Sequence, residues 1–227
     1  MKSIKLNPDL RFNKSGFSKP VDNSNYQSYS EREIWIDFKE GSDSALSYIY
    51  RNYANHLFNY GCQINNDEEL VRDCIQDLFI DIIRNRKNLA NVNVIKFYLF
   101  TSLRRKILRK LQKQRNHPTE DINYQNEARF EIISSPEALM INEQLSEEKC
   151  RLIDFACQKL TVKQREAVLL YFYEGFSYKQ VAEIMDMGKV KSARILIYRA
   201  LDVLEIALNK VKDQLFLLLL LFANSFL

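Results

Sequence analysis

The sequence predicts an all-α protein: two small helical domains joined by a flexible linker, the C-terminal one containing a helix-turn-helix. Three observations carry this. Only five glycines and four prolines interrupt 227 residues rich in Leu, Ile, Glu and Lys, all good or tolerable helix formers. Apolar residues recur at spacings of three and four through two long stretches, residues 31–115 and 137–210. Between them, residues 116–136 hold Pro118 and several Asn and Ser with little periodicity, and are acidic, with Glu120, Asp121, Glu127 and Glu131 against Arg129. A chain of this length can hold one large or two small domains, each with its own core.

Residues 1–30 are polar and unpatterned, which predicts a flexible N-terminal arm. Ile34, Trp35 and Phe38 begin a first helix, which Gly41 ends. Asp43 can cap a second, whose stripe of Ala45, Leu46, Ile49, Tyr50, Tyr53, Leu57, Phe58 and Tyr60 closes at Gly61. A third helix is expected from about Asp67 to Arg86 and a fourth from about Val94 to Gln114. The last zone, residues 211–227, is an apolar tail.

In the third helix, Glu69, Asp73, Asp77 and Asp81 recur every fourth residue. Beside them run the rows Leu70, Cys74, Leu78, Ile82 and Val71, Ile75, Phe79, Ile83. Rows four apart stack along a helix, so the carboxylates form one acidic ridge while the apolar rows pack inward. Like charges at that spacing repel by a few tenths of a kcal/mol per pair, about 0.2–0.5. The ridge therefore reads either as a plain solvated face or as a surface for a basic partner.

The fourth helix is its opposite. After Phe97, Tyr98 and Phe100 it continues RRKILRKLQKQR, holding Arg104, Arg105, Lys106, Arg109, Lys110, Lys113 and Arg115 without one acid. Such clustering creates a positive field that follows a phosphate backbone. Neighbouring aromatics can stack on unpaired bases, worth ~1–3 kcal/mol each. The pair suits melted or single-stranded DNA, although Phe97, Phe100, Leu103 and Ile107 also fit a buried stripe.

From Tyr178 to Leu208 a short amphipathic helix, a tight turn and a longer helix are expected. Val181, Ala182, Ile184 and Met185 share one face of the first helix, and small Ala182 permits a close crossing. Val190, Ala193, Ile197, Leu201, Leu204 and Leu208 form the stripe of the second. The opposite side holds Lys191, Ser192, Ile195 and Arg199, flanked by Lys189, Arg194 and Tyr198. Lys, Ser and Arg opposite a buried stripe suit the DNA major groove. Taken alone, the same pattern also describes a core with a solvated face.

Other classes fare worse. Cys62, Cys74, Cys150 and Cys157 show no C-x-x-C spacing, and His56 and His117 are the sole histidines, so neither a zinc site nor a disulfide framework is expected. No metal, no cofactor and no small-molecule substrate is foreseen. There is no nucleophile–base arrangement and no phosphate-cradling glycine loop, so no enzyme is expected. The N-terminus lacks a signal-peptide core, and reduced thiols point to the cytoplasm. A net charge of +4 decides little; its distribution matters more.

Together these motifs resemble an alternative sigma factor of bacterial RNA polymerase, of the compact extracytoplasmic-function type. The resemblance covers about residues 31–208, with regions 2 and 4 in the family's order. VRDCIQDLFIDIIRNRKNL resembles the region 2.2 helix, which grips the polymerase clamp. That implies core-polymerase contacts at Glu69, Asp73, Gln76, Asp77 and Phe79. FYLFTSLRRKILRKL resembles the segments that melt and read the −10 element, implying contacts at Phe97, Tyr98, Phe100, Arg104, Arg105, Lys106, Arg109 and Lys110. LTVKQREAVLLYFYEGFSYKQVAEIMDM with VKSARILIYRALDVL resembles region 4, which reads the −35 element. Its implied contacts are Lys189, Lys191, Ser192, Arg194, Ile195, Tyr198 and Arg199.

This sequence also departs from the family. Arg105 and Arg109 stand where relatives often carry Asn and Asp, so no −10 base preference is carried over. Asp186 and Gly188 replace the usual glycine-then-serine turn, with an extra residue before VKSAR; Asp tolerates the left-handed conformation the turn needs. The implied partners are core RNA polymerase and promoter DNA, and relatives are commonly held by an anti-sigma factor.

Two alternatives stay open. A stand-alone helix-turn-helix transcriptional regulator would explain the C-terminal motif but neither the acidic ridge nor the aromatic-basic helix. A membrane-tethered adaptor would use the terminal run, but Leu215–Ala223 is nine residues against the ~20 needed to span a bilayer. Membrane contact by that tail is the weaker reading, behind folding back on the domain or capture by a partner.

Overall fold

The computed structural model describes Tyr26, residues 28–116 and residues 155–224; of residues 115–116 and 210–224 only the backbone is described. All of the expected linker 116–136 but its first residue, the first part of the second domain and most of the N-terminal arm lie outside the described residues. All the regular elements described are helical.

Four helices make the first domain. Helix α1 (Glu31–Glu40) starts at a capping box in which Ser30 and Glu33 satisfy each other's backbone N–H, and ends at Gly41 (φ 108°). Its Ile34, Trp35 and Phe38 are buried, as their spacing predicts, and the Trp35 indole N–H donates to the Ala90 carbonyl at 2.9 Å. Helix α2 (Asp43–Ile64) is capped by Ser42, one residue earlier than expected: the Ser42 hydroxyl accepts from Ala45 N–H, and Asp43 becomes the first helical residue.

Gly61 does not end α2, which runs on to Ile64. A Cβ at Gly61 would lie 2.5 Å from a Val71 methyl carbon, so glycine stands there to let α2 and α3 approach closely. Helix α3 (Glu68–Asn85) is capped by Asp67 and leads through a 3₁₀ turn, Arg86–Asn88, to α4 (Ile95–Asn116). The first N–H of α4 is held by the Glu31 carboxylate, which also accepts from the Tyr53 hydroxyl. Not all of residues 1–30 is arm. Tyr26 is buried, its ring against Tyr29 and Tyr48 and its hydroxyl bonded to Asp37 and Ser42.

The second domain has α5 (Val162–Val168), opened by a Thr161–Gln164 capping box, continuing as a π-helical turn, Leu169–Tyr173. Gly175 (φ 72°) then reverses the chain in a left-handed conformation that other residues rarely adopt, and Phe176 turns inward. Helix α6 (Tyr178–Ile184) and the long α7 (Val190–Asn224) follow. The buried stripe of α7 is Ala193, Ile197, Ala200 and Ala207, with Leu204 and Leu208 half-buried. Val190 and Leu201, expected in that stripe, are 44% and 37% exposed, and Ala200 and Ala207 stand in the buried stripe with Ala193 and Ile197. Among the described residues no helix is long and apolar enough to cross a membrane.

The two domains touch. Helix α2 packs against α5, and α4 against α6, so one continuous core runs from Trp35 to Ile197.

Candidate nucleic-acid interface

The turn between α6 and α7 sets the first surface. Ser177 and Gln180 form a capping box at the start of α6, and its end closes with Met185 N–H on Val181 O at 2.9 Å and Met187 N–H on Ala182 O at 2.7 Å. Asp186 takes the left-handed conformation (φ 55°), as its residue type permits. With Ala193 and Ile197 anchored in the core, Lys189, Lys191, Ser192, Arg194, Ile195, Tyr198 and Arg199 are all exposed.

One support was not foreseen. Tyr171 and Tyr178 stack at 4.4 Å, and the Arg194 guanidinium lies 5.1 Å over the Tyr178 ring. The hydrogen bond to Tyr171 leads the causes that push the Tyr178 phenol up to about 12, so that hydroxyl stays neutral at working pH. A cation held on an aromatic face is oriented before any ligand arrives. The signal, two tyrosines seven apart, could not be read from periodicity because the left-handed Gly175 breaks the helix between them.

Helix α4 differs. Phe100, Leu103 and Ile107 are fully buried, with Phe100 against Tyr60 at 4.9 Å and Phe176 at 5.2 Å. Phe100 is therefore core, not a base-stacking platform as expected; its ring has no exposed face. Phe97 is half-buried against Phe176, and Tyr98 sits edge-on to Trp35 at 5.1 Å. Of the expected cations, Arg105 and Arg109 are exposed, while Arg104, Lys106 and Lys110 are engaged within the protein.

Those engagements explain much of the acidic ridge. Lys106 pairs with Asp81 and Lys110 with Asp73 at 2.9 Å, so α3 and α4 neutralise one another along one seam. Partial burial pulls the Lys110 ammonium down, but the bond and charge of Asp73 outweigh it and leave its pKa raised. Glu69, Gln76 and Asp77 are exposed on the outward side. Phe79, expected at a partner surface, is 1% exposed and packs edge-on against Tyr50 at 4.9 Å. It fixes the helix that presents the acids and cannot itself reach a partner.

Between the domains lies a groove of about 930 Å³, lined among others by Phe97, Tyr98, Arg105, Gln180, Glu183 and Met187. Elsewhere in the contact between the domains, two carboxylates from the second hold cations of the first. Glu166 accepts from Arg104 Nε at 2.6 Å and from the Tyr60 hydroxyl at 2.8 Å. Burial first, and then the Glu166 charge, drive the Tyr60 phenol pKa well above its ordinary value, so it is a donor. Glu174 meets Lys96 Nζ at 2.8 Å and His56 Nδ1 at 3.1 Å. None of Glu166, Glu174, Lys96 and His56 was singled out from the sequence; the available signal was an acid inside an apolar run, REAVLL. Among the described residues, no three His, Cys, Asp or Glu side chains converge as a metal site.

Two family models match the chain: Sigma-70 region 2 over residues 49–117, and Sigma-70, region 4 over residues 150–212. The ECF RNA polymerase sigma-E factor of Haemophilus influenzae is 26% identical over 181 residues, 77% of this chain and 91% of that protein. The fold is similar to that of CnrH in its complex with the cytosolic domain of CnrY, with a TM-score of 0.52 and 17% identity over 79% of this chain and 97% of that one. At that identity the likeness speaks for the fold alone. With regions 2 and 4 in order on one chain, and an extracytoplasmic-function relative aligned across most of it, the chain belongs to the sigma-70 family as an extracytoplasmic-function sigma factor that directs promoter-specific transcription.

Proposed function

We propose that this sigma factor docks on core RNA polymerase through the outward edge of α3, Glu69, Asp73, Gln76 and Asp77. The same protein then reads two DNA elements with two differently built helices. Helix α7 enters the major groove at −35 through Lys189, Lys191, Ser192, Arg194, Ile195, Tyr198 and Arg199. Helix α4 takes the opened −10 strand, with Arg105 and Arg109 on the phosphates and Phe97 and Tyr98 beside the bases. The chain performs no chemistry of its own; its work is to position DNA on the polymerase.

The observation that carries this reading is the recognition face of α7: seven exposed residues, four of them cationic, opposite a stripe of buried alanines and Ile197. Arg and Lys at such positions can contact guanine edges or phosphates, and Ser192 either. Charge on α3 supports the polymerase contact, because, among the described residues, Glu69 and Asp77 stay exposed and unpaired with α4, while Asp73, paired with Lys110, is still 57% exposed. CnrH is described in complex with the cytosolic domain of CnrY, and an anti-sigma protein is proposed as a partner here too.

The test is run-off transcription from a pool of genomic fragments with purified core polymerase, with and without this protein. Start sites that appear only with it, and vanish in an Asp73→Arg, Asp77→Arg variant, support the reading. DNA binding without core-dependent initiation would move the answer to a stand-alone helix-turn-helix regulator.

A further inference from the structure

The geometry points to Tyr178 of α6, backed by Tyr171, as a positioning residue that sets the guanidinium of Arg194 for base reading by α7. The assignment rests on reading α7 as the −35 helix, and deepens it.

Three local devices bring the two tyrosines together. The π-helical turn Leu169–Tyr173 closes with Glu174 N–H on the Leu169 carbonyl at 2.9 Å, five residues back. That wider turn buries Leu169 and Leu170 and leaves Tyr171 half-buried; such turns recur at functional sites. Gly175 then reverses the chain at φ 72°, and the Ser177–Gln180 capping box starts α6 at Tyr178. As the first residue of its helix, Tyr178 lies against Tyr171, the rings stacked at 4.4 Å with 20° between their planes.

Tyr178 meets the recognition face twice. Arg194 lies 5.1 Å over its ring, and its hydroxyl is hydrogen-bonded with Tyr198 as well as Tyr171. Arg194 and Tyr198 stand four apart on α7, so they are neighbours one turn apart on the same face. Among the described residues, Arg194 is the one cation of that face that rests on an aromatic ring.

The difference matters because the two kinds of DNA contact ask for different things. A phosphate accepts a charge from many directions, and a lysine on a flexible stem supplies it. Two parallel bonds to a guanine edge need the planar arginine fork in one orientation. A free arginine gives up much rotamer freedom to reach that orientation; a ring already fixed by its own hydrogen bonds removes part of that loss before DNA arrives. The tyrosines therefore act on base discrimination and leave general DNA affinity nearly unchanged.

The test selects duplexes from a random library with core polymerase carrying the full chain. Affinity is then measured for the selected duplex, for its single-base substitutions and for a scrambled duplex. Tyr178→Leu removes the ring, Tyr178→Phe keeps the ring without its hydroxyl, and Arg194→Ala removes the cation. Tyr171→Leu leaves both Tyr178 and Arg194 in place, and carries the same test if Tyr178→Leu does not fold. Urea denaturation verifies that each variant is folded.

Arg194→Ala should weaken the selected duplex about tenfold or more, as loss of a bidentate base contact does. Tyr178→Leu should weaken it about two- to fivefold, the range of an exposed cation–π contact, and Tyr171→Leu by no more than that. Tyr178→Phe should rescue most of the loss. All three tyrosine variants should bind the scrambled duplex as the original does. The base pair at which discrimination falls should be the one that Arg194→Ala relaxes, and Tyr178→Leu should cost nothing further once Arg194 is alanine.

Undiminished discrimination in the leucine variants, a loss that adds in full to that of Arg194→Ala, or an equal loss on the scrambled duplex would each overturn the positioning role. The −35 reading is judged apart from this. If Arg194→Ala changes nothing while Lys191→Ala or Arg199→Ala weakens the selected duplex, the positioning role falls and α7 remains the reader. If none of the three matters, or the library yields no preferred duplex, the −35 reading falls and takes the positioning role with it.

Discussion

Helices α4 and α7 are the two basic helices of this protein, and they present their cations in opposite ways. On α7 the cations face solvent: Lys189, Lys191, Arg194 and Arg199 are exposed opposite a buried stripe of alanines and Ile197, with Arg194 resting over the Tyr178 ring. On α4 most are already spoken for, with Lys106 and Lys110 held by α3 and Arg104 and Lys96 by the second domain. The difference has a physical origin in neighbours. Helix α7 lies at an edge, packed by α5 and α6 on one side, whereas α4 is wedged among α1, α2, α3 and α6. A basic helix at an edge presents its whole polar face, whereas a basic helix in the middle presents only the cations its neighbours leave exposed, here Arg105, Arg109 and Lys113.

The apolar residues give the sharpest way to break that comparison. Phe100 on α4 is fully buried, while Ile195 on α7 is 38% exposed. Truncating Phe100→Ala should cost about 3–5 kcal/mol, the usual figure for a buried phenylalanine. Ile195→Ala should stay within about 0.5 kcal/mol, as surface substitutions do. Urea denaturation followed by circular dichroism reads both. Comparable costs at the two positions would mean that α7 is covered in solution, and the edge description would fail.

Binding should show the reverse order. Lys191→Ala and Arg199→Ala on α7 should each weaken binding of a −35 duplex by about 1–3 kcal/mol if they read bases, or lower the salt slope by about one if they meet phosphate. Neither should change the denaturation midpoint. Titrations at several salt concentrations decide between the two roles. An unchanged affinity for both variants would remove α7 as the reader.

How far this contrast was legible in the sequence can be traced residue by residue. Helix periodicity placed α3 and α4 to within two residues and the end of α1 at Gly41, because the stop at Gly41 and the start at Asp67 are local signals; the start of α1 at Ser30 was not read. It failed at Gly61, where glycine serves a contact with Val71 ten residues on, and local pattern cannot tell a helix end from a close crossing. At Phe79 and Phe100 the periodicity already fitted a buried row, and it was the family resemblance that implied partner and DNA contacts there, which their burial overturns. Recognition of the family came from motifs in order, and the exposed face of α7 followed from its stripe. What no spacing encodes is pairing across more than 60 residues, as between Arg104 and Glu166 or Lys96 and Glu174. Those contacts decide which cations are free, and they exist only once both domains are built.

A smaller effect tests how dry the seam between α2 and α3 is. Burial, helped by the Glu68 charge and opposed by Arg72, pushes the Cys62 thiol up to about 12 from its ordinary value of 9.0. The unfolded thiol loses its proton near pH 9 while the folded one keeps it to about 12, so the unfolded state is favoured progressively across that window. Stability from this neutral thiol is thus full below pH 9 and lost as pH rises. Denaturation of the original and of Cys62→Ala at pH 8 and pH 10.5 should show a shallower alkaline decline in the variant. Equal slopes would mean that water reaches Cys62 in the folded protein.

The smallest expected effect concerns the seam between α3 and α4, where the engaged cations of α4 are most exposed. The Lys110–Asp73 pair is 2.9 Å apart, with its side chains 35% and 57% exposed. Such pairs contribute about 0.2–1 kcal/mol by double-mutant cycles. Because the Lys110 pKa is raised from 10.5, the contribution is present in full below that pH and is lost as pH rises through the folded value. A cycle of Lys110→Ala and Asp73→Ala should return a coupling of that size at pH 8, shrinking by pH 11 and in high salt. The same variants carry the comparison to function. Freeing Asp73 by Lys110→Ala leaves the ridge more acidic, so polymerase affinity should hold or rise while single-stranded DNA binding falls slightly. A coupling of zero at pH 8 would show that the two helices are held together by packing alone, and that Lys110 is as available to DNA as any cation on α7.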